Sequence, residues 1–158
     1  MTNLSRALLT FILLALSSAY AVADNTVIIN GTFGVQETVA SIPISDQSGH
    51  AWVQQKRVDP LQSTDSRFDG ATQILHEQLD TFPTYGTFRI YSEIKTSTGS
   101  VFTFFEGPYT VGQGTVPFYA KGKVLSGTGD FAGAKGIVQV EGDGAAGTYT
   151  VRLVLAGQ

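Results

Sequence analysis

Thr87-Phe88-Arg89-Ile90-Tyr91-Ser92-Glu93-Ile94-Lys95 is the stretch that decides the fold class. Phe88, Ile90 and Ile94 fall on one face, and Arg89, Tyr91, Glu93 and Lys95 on the other, which is the period-two alternation of a half-buried strand. Ser97-Thr98-Gly99-Ser100 then reads as a turn, and Val101 to Phe105 as an aromatic strand pairing back on the first. Further along, Val116 to Leu125, Gly136 to Val140 and Thr148 to Leu155 are strand-like, separated by Gly127-Thr128-Gly129 and Gly142-Asp143-Gly144. Toward the N-terminus, Thr26 to Ile29 is β-branched, Asn30-Gly31 signals a turn, and Thr32 to Val39 carries Phe33 and Val35 on one face. Asn30-Gly31-Thr32 also spells an N-glycosylation acceptor, the weaker reading beside the turn. Ser45 to Ser66 is polar, contains Pro60, and reads as connection around a short strand at Trp52 and Val53. Ala71 to Leu79 leaves two readings open: Ala71, Leu75 and Leu79 recur as on a helix face, whereas Thr72 and Ile74 suit a strand.

Closely spaced strands without an intervening helical pattern predict an all-β fold, a sandwich or a barrel. A single closed antiparallel β-barrel of about eight strands is the expectation, because closure leaves no Phe-rich strand at an open edge. A two-sheet sandwich is the competing architecture.

Composition narrows the function classes. Residues 1–23 have the form of an export signal: Arg6, then the apolar run Ala7 to Leu16, then small residues, with cleavage expected near Ala23. The apolar run is short for a membrane span, so the expectation is one secreted or periplasmic domain over residues 24–158, with no integral membrane span. The chain has no cysteine, which excludes a disulfide framework and thiolate chemistry. A net charge of −3 supplies no basic stripe for nucleic acid. Abundant glycine, 18 residues, suits tight turns between strands.

Leu125-Ser126-Gly127-Thr128-Gly129-Asp130-Phe131-Ala132-Gly133-Ala134-Lys135-Gly136 resembles a segment of the dirigent and allene oxide cyclase barrel superfamily, including its small bacterial members. The likeness extends back through Thr98-Gly99-Ser100-Val101-Phe102-Thr103 and Phe105-Glu106-Gly107-Pro108-Tyr109, and forward through Gly147 to Leu155. It covers roughly the last half of the chain. The resemblance implies an eight-stranded antiparallel barrel, often trimeric, whose apolar interior restricts the shape of a reactive organic molecule without a cofactor. Independently of the family, Gly127, Gly129, Gly133 and Gly136 suit a tight corner, with Phe131 and Ala134 plugging one end of the sheet. No Lys-Ser or Lys-Thr pair follows these glycines, so a phosphate cradle is the weaker reading.

Candidate chemistry is sparse. His50 and His76 are far apart and neither belongs to a ligand-spaced pair, so no metal site is expected. No G-x-S-x-G elbow occurs. Arg89, Tyr91 and Glu93 share one strand face and are the catalytic candidates if that face points inward; the same alternation also describes a solvated outer face. Phe102, Phe104, Tyr109 and Tyr119 are candidates to line a pocket for an apolar ligand, or else to form core or a subunit contact, and Arg152 poses the same inside-or-outside question. The leading expectation is an exported, cofactor-free cyclase or isomerase acting on a hydrophobic small molecule, possible as a homo-oligomer (dimer or trimer). Its rivals are a non-catalytic carrier in the manner of a lipocalin, and a structural or surface-interaction protein.

Overall fold

Nine strands account for most of residues 25–156, the part of the chain that the computed structural model describes. They are β1 (Asn25–Thr32), β2 (Val35–Pro43), β3 (Ala51–Ser63), β4 (Thr72–Thr81), β5 (Tyr85–Lys95), β6 (Gly99–Thr110), β7 (Pro117–Gly129), β8 (Lys135–Asp143) and β9 (Thr148–Ala156). The segment read as an export signal lies outside the described residues. Among the described residues there is no helix, and so none long and apolar enough to cross a membrane.

From β3 to β9 each strand pairs antiparallel with the next, and β9 pairs with β1. β1 then meets β3 at Ile29↔Ser63, Asn30↔Gln62 and Gly31↔Leu61, which returns an eight-stranded course into a ring. The fold is therefore all-β and barrel-like, a single sheet rather than two stacked ones. β2 lies outside the ring and continues the course of β1 along β3, from Val35↔Val58 to Pro43↔Ala51. Phe33 and Gly34 interrupt this course. There the Phe33 N–H donates to the Gly147 carbonyl at 2.8 Å, and the Gly34 N–H donates to Asp59 Oδ1 at 2.8 Å.

Two local expectations are corrected, and one left open is resolved. Asn30-Gly31 is not a turn but the interior of β1, because Gly31 faces Tyr149 across the ladder and a Cβ there would stand 2.1 Å from the Tyr149 ring. Ser45 to Ser66 is mostly strand: β3 runs from Ala51 to Ser63, and its inward side chains are polar, so hydrophobicity did not mark it. Ala71 to Leu79 resolves as β4, with Gln73, Leu75 and Glu77 buried on one face.

The two ends of the ring differ. At one end the β3–β4 connection inserts Phe68 and the β7–β8 connection inserts Phe131, ring centroids 5.0 Å apart. Both are fully buried beside Ala71, Ala134, Ile94 and Leu155. Positive φ at Gly129, Gly133 and Gly136 turns the chain tightly enough to aim Phe131 inward. Here side chains fill the ring completely, as eight-stranded barrels allow. At the other end the turns after β4, β6 and β8 leave the interior open.

Candidate functional site

Alternation along each strand determines what the interior contains. β5 contributes Phe88, Ile90, Ser92 and Ile94, and β9 contributes Tyr149, Val151, Leu153 and Leu155. On β3 the same parity brings in Gln55, Arg57 and Asp59, and on β4 Gln73 and Glu77, all buried. The open half of the ring thus encloses a cavity of about 230 Å³ with apolar walls, among them Phe33, Leu75, Phe88, Phe105, Tyr109 and Phe118, and a polar side built by Gln55, Arg57, Glu77 and Tyr149. For scale, a cavity of about 150 Å³ encloses a benzene molecule. This one suits a body of about two fused rings, with the open mouth beyond it, and is smaller than the roughly 300 Å³ at which drug-sized sites begin.

The polar side is a connected set of charges and hydrogen bonds. Arg57 Nε donates to both oxygens of Asp59, at 3.0 and 2.9 Å, and the guanidinium lies 3.7 Å over the Phe33 ring. Tyr149 Oη stands 2.8 Å from Asp59 Oδ2 and 2.8 Å from the Gln73 side chain. Gln73 in turn meets Ser92 at 2.9 Å, and Ser92 meets Thr103 at 2.8 Å. A phenol has one proton, so Tyr149 donates to one acceptor only. That proton serves Asp59 Oδ2 or Gln73 Oε1, while Gln73 Nε2 donates to Ser92 Oγ. Burial, reinforced by the Asp59 charge, raises the Tyr149 pKa far above the usual phenol range, so this hydroxyl stays protonated.

Glu77 is the exception in this set. Gln55 donates to its Oε2. Its Oε1 lies 3.1 Å from Arg57 Nη2, near enough for an ion pair but off the direction a hydrogen bond requires, and no donor reaches it. Burial raises the Glu77 pKa above its ordinary 4.5, and Arg57 and Gln55 only partly oppose the shift. A carboxyl whose pKa is raised by burial beside a cavity is suited to exchanging a proton with a guest.

The sequence candidates occupy different places. Arg89 and Tyr91 point outward, with Arg89 pairing with Glu106 at 3.1 Å while both side chains are more than half exposed. Glu93 also lies on the outer face of β5, where it accepts a hydrogen bond from Ser100 at 2.7 Å. This corrects the inward reading of the trio, because Phe88, Ile90 and Ile94 claim the inner face. Arg89 instead borders a separate hollow of about 480 Å³ beside His50, Trp52 and Asp80, lined by polar and apolar groups alike. Phe104 packs on Tyr91 outside the ring at 4.9 Å; Phe102, Tyr119 and Arg152 also lie on outward positions of their strands. Of the proposed pocket residues, Tyr109 alone lines the cavity. Arg57 and Asp59 escaped the sequence reading; the signal that marks them is the parity of Gln55, Arg57, Asp59 and Leu61 counted along one strand. Among the described residues, no group of three or more His, Cys, Asp or Glu side chains is placed to hold a metal ion.

Fold and site together define a barrel-like β protein with a plugged end, an open end and a buried carboxyl group in the open half. No family model matches the chain, and no curated protein does. Among solved structures the chain is similar to a pyocyanin demethylase, with a TM-score of 0.55 and 16% identity over 83% of this chain and 99% of that one. At that identity the likeness is one of fold.

Proposed function

We propose that this chain, as an exported barrel of the cyclase or isomerase type, takes a compact, largely apolar molecule into the cavity and moves a proton on it, without a cofactor. Glu77 is the acid–base group, and Arg57 and Tyr149 hold the charges and dipoles around it. The observation that carries this reading is a buried carboxyl oxygen without a donor, in an apolar cavity that opens to solvent. Well-packed barrels meant only to be stable fill such a position with apolar side chains, since burying charge is costly even when paired. The structural neighbour, a pyocyanin demethylase, is by its name an enzyme acting on a small molecule, which agrees with this reading without fixing the substrate.

The test uses a small bicyclic reporter, 5-nitrobenzisoxazole, whose C–H proton is removed by a base while the ring N–O bond breaks to give a coloured nitrile phenolate. Turnover is expected to exceed that in free acetate, to rise with pH through the raised Glu77 pKa, and to vanish in Glu77→Gln. Equal rates in wild type and Glu77→Gln refute the proton-transfer role. Binding of the reporter without turnover favours the carrier reading instead.

A further inference from the structure

We infer that the ligand carries a positive charge: the cavity is built for a compact aromatic or apolar cation such as a protonated amine or a charged nitrogen heterocycle. The inference rests on the reading that the cavity holds a small molecule, and goes beyond it in naming the charge.

The buried cluster has two carboxyl groups, Asp59 and Glu77, against one guanidinium, Arg57, so its formal sum is one negative charge once Glu77 is ionised. Arg57 is already committed. Its Nε serves both Asp59 oxygens, its plane packs on Phe33, and only a misdirected ion contact remains for Glu77. Glu77 Oε1 therefore lacks a donor, although the side chain is 3% exposed and lines the cavity. A guest N–H⁺ at this oxygen would supply the missing hydrogen bond and neutralise the cluster in one contact. The opposite walls are aromatic, from Phe88, Phe105, Tyr109 and Phe118, and ring faces attract cations most strongly where water is excluded. An anion would meet an unbalanced carboxylate at low dielectric, and a neutral guest would leave the charge uncompensated. The titratable and charged groups around Glu77 are Arg57 and Asp59 from β3, Tyr149 from β9 and Tyr109 from β6, and none adds a second positive charge.

Three naphthalene probes of one shape separate the possibilities: 1-naphthylmethylamine as its ammonium ion, 1-naphthylmethanol, and 1-naphthoate, titrated calorimetrically into the full-length chain at pH 7.5. The amine is expected to bind about tenfold or more tighter than the alcohol, and the carboxylate not at all. In Glu77→Gln the preference should fall below about threefold while alcohol affinity persists, the lost preference being the part owed to charge. Wild type alone gives a second readout: as pH falls below the Glu77 pKa the amine weakens and the alcohol does not, and amine binding there releases protons, seen as a heat that depends on the buffer. Alcohol binding as tight as amine binding, or a preference untouched by Glu77→Gln, overturns the charge assignment and leaves the cavity reading standing. Binding by none of the three overturns both.

Discussion

Gly31→Ala tests how the fold holds its functional side chains. Gly31 lies on β1 directly across the ladder from Tyr149, and the phenol ring lies flat over it. An added Cβ would sit 2.1 Å from Tyr149 Cζ and 2.6 Å from both Cε atoms, so Cζ would have to retreat to about 3.4 Å for ordinary contact. The ring cannot do so and keep its hydroxyl in place. Tyr149 Oη is anchored at 2.8 Å to Asp59 and at 2.8 Å to Gln73, and a shift of that size takes both beyond hydrogen-bonding range. Losing a hydrogen bond to a charged acceptor costs about 1.5–3 kcal/mol, and overpacking adds roughly 1–3 kcal/mol where the ring cannot relax. An overall loss of about 2.5–6 kcal/mol is expected, equivalent to a fall of roughly 1–3 M in the urea midpoint with an unchanged slope. Trp52 fluorescence provides the signal. The diagnostic measurement is the cycle with Tyr149→Phe. Without the hydroxyl, Gly31→Ala should cost only the packing strain, giving a coupling of about 1.5–3 kcal/mol between the two sites. A Gly31→Ala loss within about 0.5 kcal/mol, or strict additivity with Tyr149→Phe, refutes the claim that this glycine positions the phenol.

Four other outcomes follow from the same structure. Arg57→Gln leaves Asp59 and Glu77 buried together without a cation and should destabilise the fold by about 3–5 kcal/mol in urea titrations at pH 7, whereas Glu77→Gln leaves the Arg57–Asp59 pair balanced and should be far milder. Because the Glu77 pKa is raised in the fold, its contribution is fully present below about pH 4.5 and is lost as pH rises through the folded value, so Glu77→Gln should flatten the decline of stability with pH. Arg89→Ala should change stability by no more than about 0.5 kcal/mol and leave naphthalene-probe binding intact, since its partner Glu106 is on the exposed outer face; a loss of binding would return this side chain to the site. His50 is held between Asp46 and Asp80, which raise its pKa above 6.5, and so fastens the β2–β3 turn to β4. That contribution is present below pH 6.5 and is lost as pH rises through the raised value, so Tm should drop more steeply across this range in wild type than in His50→Gln.

Much of the strand order was legible from the sequence, and the site was not, for one physical reason. Hydrophobic alternation registers a strand only when its two faces differ, as on β5, where Phe88, Ile90 and Ile94 oppose Arg89, Tyr91 and Glu93. β3 is polar on both faces: Gln55, Arg57 and Asp59 point inward while Gln54 and Lys56 point outward. Pro60 strengthened the reading of a connection. Yet it sits where β3 changes partner from β2 at Val58 to β1 at Leu61, and the neighbouring Leu61 N–H faces β4 by donating to Ala71. The N–H that Pro60 lacks would have pointed at the gap, so no ladder bond is forfeited. The Gly127 to Gly136 corner was readable because its turn chemistry is local; the Asn30-Gly31 turn was misread because a glycine required by a ring across the sheet looks, in sequence, like a glycine required by a turn.

That second use of glycine explains why there is a cavity at all. In the plugged half of the ring, Phe68, Phe131, Leu153 and Leu155 project to the centre and fill it. In the open half, Tyr149 lies over Gly31 and Tyr109 over Gly86, where a Cβ would come within 2.4 Å of the Tyr109 ring atoms. Each aromatic ring is folded back against a bare stretch of backbone instead of crossing the lumen, so a position that would otherwise add core volume adds wall. The same half carries the buried charges of β3 and β4, which weaken a barrel relative to an apolar filling of equal volume. Side chains that keep the centre open and side chains that make burial costly thus occur together, in one half of one ring. Stability alone accounts for neither, and a guest that fills the space and engages Glu77 accounts for both.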